Sequence, residues 1–323
     1  MSAQKKTLAF GLAVTVALLA ALPLHAVELP ENTSLSITTD FAFYPKSDYV
    51  AGEDHFAPVT GFYGGLEGRI VGKFAYTIPT PLGDNWLLNS ANVELASTLE
   101  ITPITLKPGV QVTFTPLPFL VFNAGTEIGS GWSLIGMNGI GTWNGAEYTA
   151  SPAFSQWFWK AWAQATFQFD TGALIQGDWS HVVMLFTYQV YYHTMLGQEN
   201  QALWQWQNSG NRVNGLQQYM QGIVAYQMPL VLKRVGVMFE MDGYLDANAF
   251  ANPLYDGDFM SISLSPLLQF EFDSHNSLAV LFGFSSRRSF STAHTKEAQE
   301  TFLNTTGREW YFKRLALSYT YTF

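Results

Sequence analysis

From Leu35 onward the sequence alternates large apolar residues with small or polar ones, a period of two rather than the 3.6 of a helix. In Leu35-Ser36-Ile37-Thr38-Thr39-Asp40-Phe41-Ala42-Phe43 the odd positions are mostly large and apolar and the even ones small or polar. The pattern is cleanest at the end of the chain. There Leu315, Leu317, Tyr319, Tyr321 and Phe323 share one face, and Arg314, Ala316, Ser318, Thr320 and Thr322 share the other. Alternating segments bounded by Gly, Pro, Asn or Asp predict about twelve strands, with 10 to 14 as the range. They run 34–44, 59–78, 90–102, 109–115, 118–130, 157–174, 180–194, 216–228, 234–246, 258–272, 277–287 and 310–323. Every second connection is long, at 45–57, 131–156, 195–215, 247–257 and 288–309, with 103–108 the short exception. Those between them are short: 79–89, Pro116-Leu117, the Gly177-Asp178-Trp179 corner, 229–233 and 273–276. No internal repeat, low-complexity tract or linker interrupts the pattern, so residues 27–323 read as one domain.

Two unlike faces and two classes of connection predict an all-β fold, a transmembrane antiparallel β-barrel with lipid outside and a wet interior. Short periplasmic turns and long extracellular loops are the asymmetry of such barrels, and an even strand count returns both termini to the periplasm. Composition changes the picture only by excluding alternatives. Charged residues make up 13% and aromatics 15% of the chain, against roughly 25% charged in soluble domains. Beyond the N-terminus no apolar run reaches the roughly 20 residues that a helix needs to cross a bilayer of about 30 Å. Residues 1–26 read as a secretory signal peptide: Lys5 and Lys6, the apolar stretch Leu8 to Leu22, then Pro23-Leu24-His25-Ala26. Without Lys5 and Lys6, 14 of the 16 basic residues face 25 acidic ones, net −11, which argues against nucleic acid as a partner. The absence of Cys excludes disulfides, thiolate metal sites and a lipidated anchor.

The terminal strand Leu315, Leu317, Tyr319, Tyr321, Phe323, rich in aromatics and ending on Phe, resembles the terminal signature of bacterial outer-membrane β-barrels. That resemblance implies a porin-like architecture in the bacterial outer membrane. It also implies that the last strand is an assembly signal read by the barrel assembly machinery, with periplasmic chaperones and outer-membrane lipids as further partners. It names no specific family, since porins, adhesins, lipases and assembly factors share it. A soluble β-sandwich or exported lectin is the alternative for the same alternation, with its apolar faces meeting in one dry core. Aromatics at both strand ends, Phe62 or Tyr63 and then Phe74 and Tyr76, instead suit a membrane girdle.

The face opposite the bulky apolar residues is the predicted pore lining. It receives Glu67, Arg69, Lys73, Glu94, Glu100, Glu127, Lys160, Glu240, Asp242, Glu271 and Arg314, joined by Gln111, Gln164, Gln168, Gln189, Gln221, Gln227 and Gln269. Seven acids to four bases predict a mild cation preference. The expected function is passive diffusion of small hydrophilic solutes, with no cofactor, no metal and no catalytic residue. A closed barrel whose charges pair into a structural network is the competing reading, because about eight strands are filled by side chains and 16 to 18 leave a channel. In that case surface-exposed loops would act by adhesion or ligand binding.

Several motifs compete for attention. The Gly-rich run 61–73 ends in Lys73, but Phe74 stands where a phosphate loop needs Ser or Thr. His55, His181, His193, His275 and His294 lack the paired spacing of metal ligands. Asp178-Trp179-Ser180-His181 and Asp273-Ser274-His275-Asn276-Ser277 resemble nucleophile chemistry, though 273–276 is also an ordinary turn composition, and the His-x-Ser of the second is similar to the pair used by outer-membrane phospholipase and lipid A deacylase barrels. Leu278 follows Ser277 where those families carry Asn, which leaves an outer-membrane lipid hydrolase as an outside alternative. Trp204-Gln205-Trp206-Gln207-Asn208, with Trp132 and Trp143, is an expected exposed aromatic set able to stack on sugars, against the competing reading of an interfacial girdle that Trp157, Trp159 and Trp179 fit.

Overall fold

The computed structural model describes residues 29–294 and 297–323, so the expected signal segment 1–26 lies outside the described residues. Twelve long strands form one antiparallel sheet, each paired with its neighbour in sequence. They are β1 (Thr33–Lys46), β2 (Gly61–Pro79), β3 (Asn92–Ile101), β4 (Thr105–Leu117), β5 (Leu120–Gly131) and β6 (Phe158–Asp170). The second half comprises β7 (His181–Met195), β8 (Gly215–Gln227), β9 (Leu232–Tyr244), β10 (Ser261–Glu271), β11 (Asn276–Phe290) and β12 (Thr305–Thr322). The sheet closes on itself where β12 pairs with β1, from Ser36 opposite Thr322 to Phe43 opposite Leu315. Closure leaves no open edge, the condition for a sheet to cross hydrocarbon.

The outer face carries the exposed apolar side chains, among them Phe74, Leu95, Leu99, Val110, Val112, Val224, Val237, Phe239, Leu264 and Phe282. A sandwich would bury this set in one dry core, whereas here it faces outward all round the barrel. Phe74, Tyr76, Phe167 and Tyr226 lie on the outer face toward the end that holds the termini, and Phe62, Trp159 and Tyr192 toward the other end. Phe62, not Tyr63, is thus the girdle residue at the long-loop end of β2. With an apolar belt, closed antiparallel strands and both termini at the short-turn end, the chain is an outer-membrane β-barrel.

Connections at that end are 80–91, 118–119, 171–180, 228–231 and 272–275; at the opposite end they are 47–60, 102–104, 132–157, 196–214, 245–260 and 291–304. Several boundaries differ from expectation, two of them for local physical reasons. Pro108 cannot donate to a ladder and so starts the expected fourth strand at 109, yet the chain pairs through it opposite Leu99 and β4 starts at Thr105. The Thr102 hydroxyl accepts the Ile104 and Thr105 N–H groups, closing that connection into a tight turn. On β6 the strand stops at Asp170, whose carboxylate accepts the Gly172 N–H and caps a 3-10 turn, Thr171–Ala173. β12 starts at Thr305, earlier than the pattern predicts, and β11 runs on to Phe290.

Candidate functional site

Period two puts one side chain in two on the inner face of each strand. Glu67, Arg69, Lys73, Glu94, Glu100, Glu127, Lys160, Glu240, Asp242 and Glu271 all occupy that face, as does Arg314. On the β1–β5 wall they form a chain of ion pairs. Arg69 Nε donates to Asp40 Oδ2 at 2.6 Å and its Nη1 reaches Glu100 at 3.3 Å. Lys107 bridges Glu100 at 3.4 Å and Glu127 at 3.2 Å, and Lys73 pairs with Glu94 at 2.7 Å. The other wall is held by phenols: Tyr191 donates to Asp242 and Tyr219 to Glu240, each at 2.7 Å.

Charged residues of the wall that escape the sequence reading include five cations and two acids. Asp40 stands in the inward register of β1 and was legible from the alternation itself. Lys107, Lys233 and Glu309 fall in segments read as connections, and Arg234 and Arg287 sit at strand ends. Bulges explain two of the cations. A register shift between Gly283 and Phe284 leaves Lys313 as the extra residue of β12. An inserted residue turns its side chain out of strict alternation, so Lys313 and Arg314 both come within electrostatic range of Glu67 and Glu240. A second shift between Leu232 and Arg234 lets Lys233 and Arg234 both reach Glu271, at 3.5 and 3.6 Å. The expected excess of acids in the wall therefore shrinks, since these additions bring the two signs nearly level.

The mouth at the long-loop end is crossed by a hairpin. Residues 204–206 pair with 209–212, and 204–206 also pair with 140–142 of the preceding loop. Gln207 and Asn208 both take positive φ, 53° and 61°, the turn that matches the right-handed twist of a two-residue hairpin. At the tip, the Gln207 side-chain amide donates to Glu100 on β3 and Thr105 on β4, both at 3.0 Å. At the base, the Val213 carbonyl is bound by His193 on β7 at 2.9 Å and by Tyr244 on β9 at 3.1 Å. β3 and β9 are half a barrel apart, so the hairpin spans the lumen from wall to wall.

Trp204 and Trp206, expected to be exposed, are instead buried and form the core of this cap with Ile140, Phe158 and Met195. Trp206 stacks on Phe158, with ring centroids 4.8 Å apart. Trp132 donates to the Pro103 carbonyl and Trp143 packs on Tyr148. Burying aromatic area outweighs leaving it to solvent, which is why an aromatic-rich loop folds onto itself. Beneath the cap lies a cavity of about 330 Å³ lined by inward residues of β4 to β7, including Gln111, Asn123, Glu127, Lys160, Trp162, Gln164 and Gln189.

The nucleophile candidates do not assemble. Ser180 Oγ donates to the Ile175 and Gly177 carbonyls, and His181 Nδ1 pairs with Asp170 at 2.9 Å. His275 Nδ1 donates to the Thr322 carbonyl at 2.6 Å. Among the described residues Ser180 shares no hydrogen bond with His181, and neither Ser274 nor Ser277 shares one with His275. Asp273 accepts from the Asn276 side chain and from the His275 and Asn276 N–H groups, which hold its carboxyl below the usual range in an ordinary turn. Among the described residues no three His, Asp or Glu side chains converge as a metal site.

No protein-family model matches the sequence, and no curated protein does. Solved structures similar to this one include a KdgM porin, at 11% identity over 89% of this chain and 99% of that one, with a TM-score of 0.38. An outer membrane channel from Pseudomonas putida F1 is 11% identical over 93% of this chain and 99% of that one, with a TM-score of 0.48. The outer membrane channel DcaP of Acinetobacter baumannii is 10% identical over 90% and 96%, with a TM-score of 0.35.

Proposed function

We propose that the protein is a porin-like channel for passive diffusion of small hydrophilic solutes, without covalent chemistry, constricted at its extracellular mouth by the 204–212 hairpin. The observation that carries this reading is the inner wall: charged and amide side chains line it from end to end around a polar cavity. Charge on a lipid-facing strand costs about 2–4 kcal/mol at mid-membrane, so such a set is stable only against water or partners inside. The hairpin across the mouth favours a second reading, a closed barrel whose loops do the work at the cell surface.

The proposed cation preference is mild, because wall charges nearly cancel. It arises from the extracellular loops, where Asp48, Glu53, Asp54, Glu147, Glu199, Asp246 and Asp258 stand against few cations. Burial, then the neighbouring Asp258 carboxyl, pushes Asp256 up from the ordinary aspartate range, a sign of crowded acids. Reversal potential in a salt gradient measures the preference, and a double variant reads the share that the wall contributes. Glu240→Gln with Asp242→Asn leaves Lys160, Lys313 and Arg314 less compensated. The potential should move toward anions in dilute salt and barely move in concentrated salt, as the screening length falls from about 30 Å at 0.01 M to about 3 Å at 1 M. An unmoved potential at low salt would take these two residues off the conducting path.

The terminal strand is proposed as the signal for the barrel assembly machinery, reached through periplasmic chaperones and inserted among outer-membrane lipids. Its Leu315, Leu317, Tyr319 and Tyr321 occupy the outer face opposite β11, and the Phe323 N–H donates to the Leu35 carbonyl at 3.0 Å across the closing seam. Deleting Phe323 removes one hydrogen bond and an edge-to-face contact with the Tyr321 ring from a ladder that is otherwise intact, so the folded barrel should keep most of its stability in detergent. Outer-membrane levels in cells should nevertheless fall severalfold. Equal levels of the shortened and full-length proteins would remove the assembly role.

A further inference from the structure

Beneath the loop cap, the inner wall holds an aromatic ring that the fold pins in place and that the ion pairs do not use. Trp162 points inward from β6, and its indole N–H donates to Asn123 Oδ1 at 2.6 Å. The ring lies across Gly125 of β5, its antiparallel partner, where any Cβ would collide with it. Glycine at 125 is thus what lets the indole lie flat along the wall. Amides surround it. Asn123 also donates to Thr113 at 2.8 Å, and Gln189, which lines the cavity, donates to Gln164 at 2.9 Å, leaving its carbonyl oxygen without a partner among the described residues. The Gln111 carboxamide lines the same cavity with no hydrogen-bond partner among the described residues.

The structure assigns to this wall a binding platform for neutral sugar rings, with Trp162 as the stacking surface and Gln111 and Gln189 as hydroxyl partners. A pyranose ring offers an apolar C–H face to an indole and hydroxyls that both donate and accept, and a carboxamide supplies both complements. Neutral solutes are favoured because the charges nearby are occupied. Glu127 is paired with Lys107, and the Lys160 ammonium, 5.8 Å from the centre of the Trp162 ring, sits closer to the Tyr191 ring, 4.1 Å from its centre. The cavity, about 330 Å³, lies at the low end of the roughly 300–1,000 Å³ typical of small-ligand sites. A ring fixed before the ligand arrives loses little freedom on binding, which raises affinity for a given contact.

This inference deepens the channel reading, since it names the solute class of that lumen, but its test does not depend on conduction. Glucose, maltose and cellobiose are titrated by calorimetry into the detergent-folded protein, with uridine and a polyethylene glycol of matched size as controls. At least one of the three sugars should bind saturably, and neither control should. Trp162→Ala should raise the dissociation constant about tenfold or more, whereas Trp162→Phe, which keeps a ring, should lose less. Heat-modifiable migration of each variant establishes that it has folded. In bilayers the same sugar should interrupt the ion current saturably. Absence of binding by all three sugars, equal or tighter binding of uridine, or an unchanged constant in folded Trp162→Ala overturns the platform. A protein that binds sugar yet passes no current keeps the platform and overturns the channel reading, and one that conducts without binding does the reverse.

Discussion

Replacing Trp204 by alanine should unseat the loop cap while leaving the barrel standing. Trp204 is fully buried among Phe158, Met195, Ile140 and Trp206, and its indole N–H donates to Asn214 at 3.1 Å. Truncating a buried Trp to Ala costs about 3–5 kcal/mol. The cost falls on the hairpin and its partner loop, because the ladders of β6 and β7 pair through backbone groups that Trp204 does not touch. Loops 132–157 and 196–214 should become sensitive to added protease, and the heat-modifiable band of the barrel should persist. With the hairpin loose, Gln207 no longer bridges to Glu100 and Thr105, and conductance should rise severalfold. A variant with loops as protected and a conductance as small as the parent protein would show that the cap is held elsewhere.

Glu309→Ala should have a comparable effect on the opposite side of the mouth. Glu309, 1% exposed, accepts the Val50 N–H at 2.9 Å, His55 at 3.0 Å and the Arg287 guanidinium. Arg287 is itself stacked between Tyr49 and Tyr311, 3.6 and 4.4 Å from their ring centres. Removing one partner of a buried ion pair costs about 3–5 kcal/mol. The Arg287 contact to the Asp48 carbonyl at 3.1 Å survives and places the expected loss near the lower end, at about 3 kcal/mol. The 47–60 connection should lose its protection from hydrogen exchange, and Glu309→Gln, which keeps the size and an acceptor, should recover part of it. Unchanged exchange across 47–60 would mean that its parallel pairing with Glu309 and Trp310 suffices to hold it.

Strand number, closure and face were legible because the pattern has period two and only one register buries the right side. Leu315, Leu317, Tyr319 and Tyr321 on one face and Arg314 on the other need no tertiary information. Lys313 shows where that logic stops: one inserted residue re-aims a side chain, and nothing local in Phe312-Lys313-Arg314 announces the bulge. Lys107 and Lys233 were hidden by prolines, since Pro108 and Pro229 read as punctuation beside them. The hairpin across the lumen was illegible for a different reason. Trp204 and Trp206 look the same in sequence whether they face solvent or one another, and their burial depends on Phe158 and Ile140, far away in the chain. Trp162 was counted in a strand, but its role on the inner wall follows from Gly125 across the ladder, a pairing that only the register reveals.

The most direct measurement is single-channel recording of the detergent-folded protein in a planar lipid bilayer, the parent protein alongside Trp204→Ala. A water-filled lumen narrowed by its hairpin should give small, discrete conductance steps in the parent and larger ones in the variant. Bilayers that hold both folded proteins and show no steps from either would contradict the channel, and would leave a sealed barrel with its wall charges paired for structure alone.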